Sequence, residues 1–221
     1  NGYALSKKIG LDVEVTSISI RQYPYLEANM IVEEKYNLGL QGYIENSHLD
    51  MDYRLTSNCI QSNICTIDDE INIAGHINGP LGNAQVTGEG KALDGNVSYE
   101  WMKDGDTFKD VNLVMKDMNS SKLFTLLGQT ALLKGKANAR IHFDMISQDA
   151  KKGQISYDVK ESNVSCLMVN LHTQIDIHDS NHTFIMNVTA PELTLHLTKG
   201  RYDQEKKYAH AFYALDIKEL S

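Results

Sequence analysis

The chain has 221 residues and a formal charge of -8, the opposite of the basic stripe with which proteins track phosphate, so nucleic acid is excluded as a partner. With 42% hydrophobic and 23% charged residues and a mean hydropathy of -0.35, it can bury a core, which excludes intrinsic disorder. No run approaches the roughly 18 apolar residues of a transmembrane helix, and the numbering opens on Asn1, so the expectation is one β-rich domain, 1–221, excised from a longer chain.

The first elements alternate with period two, at Leu11, Val13, Val15, then Leu38, Leu40, then Leu49, Met51, Tyr53, Leu55. Polar residues occupy the positions between, which describes strands with one apolar and one wet face. Cys59 and Cys65 then bracket a turn at Ser62-Asn63. In an extended strand they would stand roughly 20 Å apart, so a disulfide between them requires that turn and an oxidising compartment. The bridge is an expectation, and two unlinked thiols are the alternative. Cys166 has no evident partner and reads as a core residue.

Strands resume at Ile71, Ile73, then Val97, Tyr99, Trp101, then Val111, Leu113, Met115. Turns are expected at Asn78-Gly79-Pro80, Leu81-Gly82-Asn83, Asp94-Gly95-Asn96 and Asp104-Gly105-Asp106, because Asn-Gly and Asp-Gly accept positive φ cheaply. Gly82 to Gly90 leads into no helix, so it is no phosphate-cradling loop. Ser120 to Gly128 breaks the alternation with apolar residues at helical spacing behind candidate serine N-caps, and predicts one short helix near 120–133.

The later strands are Ala137 to Met145, Ile155 to Val159, Leu167 to Leu171, Phe184 to Val188 and Leu193 to Leu197, with turns expected at Lys151-Lys152-Gly153 and Thr198-Lys199-Gly200. Gly95-Asn96-Val97-Ser98-Tyr99 is echoed by Gly153-Gln154-Ile155-Ser156-Tyr157, as in a sheet grown from repeated hairpins. Continuous apolar runs and intervening helices, the marks of a parallel βαβ sheet, are missing. The fold class is therefore all-β: a long twisted antiparallel sheet forming a groove or partly closed sandwich, with one short helix.

The sequence offers little for catalysis or metal binding. His142, His172 and His196 fall on the polar phase of their strands, and His178 and His182 flank a turn at Asp179-Ser180-Asn181 in no zinc-ligand spacing. There is no Gly-x-Ser-x-Gly elbow, and carboxylates such as Glu33-Glu34 and Asp68-Asp69-Glu70 read as solvated loop charge. The expectation is a protein that is not an enzyme and carries no cofactor or metal. Five Asn-x-Ser/Thr sequons, at Asn96, Asn119, Asn163, Asn181 and Asn187, read as strand and turn residues.

The segment Gly75-His76-Ile77-Asn78-Gly79-Pro80-Leu81-Gly82-Asn83-Ala84-Gln85-Val86-Thr87-Gly88-Glu89-Gly90 resembles a recurring phrase of the AsmA-like and TamB-like bacterial envelope proteins, with Ala84 where a proline often stands. Leu123-Phe124-Thr125-Leu126-Leu127-Gly128 followed by Gly135-Lys136-Ala137-Asn138-Ala139 resembles that family's short helix leading into a strand. The closing segment Ala211 to Leu220 is similar to its strand endings. The resemblance implies a periplasmic protein, anchored to the inner membrane by a segment outside this chain, with an apolar β-sheet groove used in lipid transport or outer-membrane biogenesis. Its partners would be phospholipid or another acyl-chain lipid, together with inner- and outer-membrane components. The lining candidates are Leu49, Met51, Tyr53, Val111, Leu113, Met115, Ile141, Phe143 and Met145. The alternative is a structural or adhesive β-sandwich module at the cell surface, in which two apolar faces bury each other.

Overall fold

The computed structural model describes residues 12–62, 65–130, 133–164 and 167–218. Fourteen strands follow one another in them. The first seven are β1 (Val13–Gln22), β2 (Tyr25–Val32), β3 (Tyr36–Glu45), β4 (His48–Gln61), β5 (Thr66–Pro80), β6 (Gln85–Ala92) and β7 (Gly95–Asp104). After β8 (Thr107–Asn119) comes a helix, α1 (Ser120–Leu126), and then β9 (Lys136–Ile146), β10 (Lys151–Val164) and β11 (Leu167–His178). The last three are β12 (Asn181–Ala190), β13 (Leu193–Asp203) and β14 (Tyr208–Ile217). All belong to one sheet in sequence order, each antiparallel to the next, and β1 and β14 do not meet. The expected long antiparallel sheet is therefore present, and it is open. A closed sandwich would need a second sheet, and the described strands supply only one.

Several turns sit elsewhere than the glycines suggest. At β6–β7 the positive-φ pair is Leu93 and Asp94, not Asp94-Gly95. Leu93 tolerates this because its side chain is buried and its N–H donates to the Asp69 carboxylate at 2.6 Å. Asn78, Gly79 and Pro80 end β5, Lys151 to Gly153 open β10, and Thr198 to Gly200 lie inside β13. Gly153 and Gly200 are there for closeness: a Cβ on either would stand 2.5 Å from the ring of Phe143 or Phe184.

Among the bulges that shift the register, four carry a residue in the left-handed region. Asp110, Asp117, Glu161 and Lys199 take φ near +50° at these shifts. Each adds one residue to its strand, so that Met118 joins Met115, and Ser162 joins Val159, on one side despite odd spacing.

The helix is capped by Asn119, not by a serine. The Asn119 side-chain oxygen accepts from Ser121 N–H at 3.0 Å and Lys122 N–H at 3.3 Å, which satisfies two of the orphan donors of the first turn. Ser120 is instead fully buried, its hydroxyl donating to the Leu133 and Gly135 carbonyls at 2.9 and 3.0 Å. Lys122 reaches Asp69 on β5 at 2.5 Å and Asp94 at 2.6 Å, and Phe124 meets Tyr157 of β10 edge to face with centroids 6.5 Å apart. These contacts lay α1 across one end of the apolar side, from β5 to β10. Leu123 and Leu126 pack there on a core of Leu93, Met118, Ala137, Ala139 and Val159.

The disulfide expectation fails on register. Cys59 stands opposite Asp68, while Cys65 lies at the hairpin tip, where its N–H donates to Ser62 Oγ at 3.1 Å. Three ladder positions, roughly 10 Å along the strands, separate them, beyond the ~7 Å Cα reach of a disulfide. Both are free thiols, and Cys65 Sγ donates to the Thr125 carbonyl of α1 at 3.2 Å. Cys166 lies outside the described residues.

Candidate functional site

In an antiparallel sheet, directly paired residues share a face, so the register can be followed from one edge to the other. From Val15 on β1 it passes through Met30, Leu38, Leu55, Ile73 and Gly90 to Val97 and Met115. It continues through Ala139, Tyr157, Thr173, Met186 and Leu197 to Tyr213 on β14. One residue from each of the fourteen strands contributes, and Thr173 is the single member that is neither apolar nor aromatic nor glycine. At ~4.8 Å per strand the row is about 60 Å long.

A second row lies two residues away, ~7 Å along the strands. It runs Ile18, Ala28, Leu40, Tyr53, Gly75, Gly88, Tyr99, Leu113, Ile141, Ile155, Ile175, Phe184, Gly200. At its centre Tyr53 and Tyr99 lie over Gly75 and Gly88, where a Cβ would stand 2.4 to 2.7 Å from their ring and hydroxyl atoms. Tyr53 O–H donates to the Thr87 carbonyl at 3.0 Å and shares a 2.5 Å hydrogen bond with the Tyr99 hydroxyl. Burial, then the bond to Tyr99, holds the Tyr53 pKa well above the ordinary tyrosine range, so Tyr53 is neutral.

Eight lining candidates belong to this face. Tyr53, Leu113 and Ile141 are in the second row and Met115 in the first. Leu49 and Met51 continue β4 in phase, and Val111 pairs with Phe143 two residues from the Leu113–Ile141 pair. Met145 stands past the register shift between β9 and β10, opposite Lys109 and Lys152, and does not extend the strip. Tyr36 and Val86, also on the strip, fall outside the alternating segments read from the sequence, while Tyr157 and Met186 fall inside them without being lining candidates.

Shelter varies along the strip. Ile71, Ile73 and Val97 are buried beneath Tyr36, Tyr53, Leu55, Tyr99, Leu113 and Met115 of the same face. Tyr157, under α1, has a buried hydroxyl with no hydrogen-bond partner among the described residues, and burial pushes its pKa up to about 12. Towards β14 the strip opens, with Tyr213 75% exposed. Helix α1 and the tip of β4–β5, through Ile60 and Ile67, bound one end. The chain exposes 14562 Å² in all, against about 10,000 Å² for a compact protein of this mass.

The opposite face is hydrated. His76 pairs with Asp52 at 2.9 Å and Asp50 at 3.3 Å, His142 with Asn112 at 2.6 Å and Asp144 at 3.0 Å, His172 with Asp158 at 2.6 Å, and His196 with Asn187 at 2.7 Å. Lys152 and then His142 hold the Asp144 carboxyl below its ordinary range. Three shallow depressions of about 550, 890 and 640 Å³ lie mainly on this side, among residues such as His76, Glu89, Glu100, Lys91 and Arg54. They are open and charged, unlike the apolar pockets that hold small ligands. Among the described residues no three His, Cys, Asp or Glu side chains converge as metal ligands.

No protein-family model, curated protein or solved structure matches this chain.

Proposed function

We propose that the chain is a non-catalytic lipid-handling protein that binds acyl chains, phospholipid foremost, along its apolar strip. The observation that carries this reading is the register itself: two adjacent rows, one spanning all fourteen strands, with no second sheet over them among the described residues. A soluble monomer rarely leaves more than a few hundred Å² of contiguous apolar surface bare. Acyl chains are adequate cover, since each CH₂ removed from water contributes ~0.8 kcal/mol. An adhesive sandwich would satisfy the same alternation only with a second sheet. We place the protein in the periplasm, as an AsmA-like or TamB-like component of lipid transport or outer-membrane assembly. That placement rests on the resemblance around Gly75 to Gly90 and on the open sheet.

The test is uptake of phospholipid from vesicles by delipidated protein, measured by mass spectrometry of the reisolated complex. Phe143→Asp and Met115→Asp put a charge on the strip, and Val114→Asp puts one on the hydrated face of the same β8 strand. Wild type and Val114→Asp should take up lipid, while the strip variants should lose it and keep the strand signature in circular dichroism. Failure of wild type to take up lipid, or equal uptake by all four, would refute the assignment.

A further inference from the structure

The outer edge of β14 is unpaired among the described residues, and every residue of the strand is exposed. Phe212 is 64%, Tyr213 75% and Ile217 66% exposed. Long flat edges with apolar side chains are templates for further pairing. Native sheets protect them with inward charges, prolines or bulges, and β14 has none of these devices: it lacks proline, and the bulge at this end lies on β13, at Lys199.

The sequence of β14 is complementary to itself in one antiparallel register. A two-fold axis through Tyr213 sets Tyr213 against its own copy, Ala211 against Leu215 and Ala209 against Ile217 on the apolar side. On the hydrated side the same register sets His210 against Asp216 and Phe212 against Ala214. Leu215, Ile217 and Phe212 each meet an alanine, Tyr213 meets its own copy on the axis, and each imidazole N–H meets a carboxylate, twice by symmetry. A shift of two residues in the sum of the paired numbers loses this: it places Asp216 against Tyr208 or against Phe212.

The geometry points to a homodimer formed by antiparallel pairing of β14 with β14 of a second copy, continuing one sheet from protomer to protomer. The contact is isologous and closes on itself. Because Tyr213 terminates the row that begins at Val15, the apolar strip runs without interruption into the second protomer and doubles in length. The assembly does not depend on lipid, so it stands or falls separately from the proposed function.

Sedimentation velocity on the purified chain at tens of micromolar should show a dimer. His210→Asp opposes two pairs of like charges and should weaken dimerisation about tenfold, and the exchange His210→Asp with Asp216→His should restore it. Tyr213→Cys should form an intermolecular 213–213 disulfide on mild oxidation, because directly opposed Cα atoms stand ~4.5–5.5 Å apart, within disulfide reach. Leu215→Cys, opposite Ala211, should not. A monomer at these concentrations, a single charge variant that dimerises as wild type does, or equal cross-linking at 213 and 215 would overturn the proposal. Circular dichroism of each variant separates a lost contact from a lost fold.

Discussion

Lys122→Met tests how α1 is held on the sheet. The Asp69 side chain is 1% exposed and Lys122 26%, and the remaining bond to Asp69 comes from Leu93 N–H at 2.6 Å. Methionine keeps the stem that packs on the sheet and deletes only the charge, so the loss isolates the stranded carboxylate. Removing one partner of a buried pair costs roughly 3–5 kcal/mol, and because Lys122 is partly wet the low end, about 3 kcal/mol, is expected. With a urea m-value near 2 kcal/mol/M the unfolding midpoint should fall by about 1.5 M. Asp69→Asn added to Lys122→Met should recover most of the loss, since an amide oxygen still accepts from Leu93 without burying charge. If the damage is local, the amides that close α1 will exchange faster while the midpoint holds. An unchanged midpoint together with unchanged exchange at residues 123–127 would show that the ion pair does not fasten the helix.

The same cluster sets an acid limit. The hydrogen bond from Lys122, then that from Asn119, holds the Asp94 carboxyl below its ordinary range. A depressed carboxylate stabilises the fold above its unfolded pKa, and that stabilisation is lost as pH falls through the folded value. Exchange of the α1 amides should therefore accelerate below about pH 4, and Asp94→Asn should abolish that dependence. Gly88→Ala, which forces a Cβ to within 2.5 Å of the Tyr53 and Tyr99 side chains, should destabilise by about 1–3 kcal/mol by overpacking, measured by urea titration, and Tyr99→Leu in the same chain should relieve part of it. Met118→Ala, at a side chain 1% exposed in the core under α1, should cost about 2–5 kcal/mol. A smaller loss would mean the helix end collapses into the space.

Much of this architecture is legible in period-two alternation, because a strand with one wet face must place its apolar residues two apart. That made the all-β class, the antiparallel pairing and the face of eight of the nine lining candidates readable locally, and the helical window at 120–128 contained α1. Glycine was the poorest guide. A turn glycine and one lying beneath an aromatic ring look alike in one dimension, so Gly153 and Gly200 read as turns although they serve Phe143 and Phe184. Bulges were equally hidden, since nothing in Met115-Lys116-Asp117-Met118 announces that Asp117 takes positive φ and returns Met118 to the strip. The spacing of Cys59 and Cys65 allowed a bridge that the register of β4 on β5 then set out of reach. Whether the apolar face is covered was undecidable from alternation, which is the same for a sandwich core and for a bare strip. It depends on which strands meet across space, and here each described strand pairs only with its neighbours in sequence, which leaves β1 and β14 as edges and the strip between them open among the described residues.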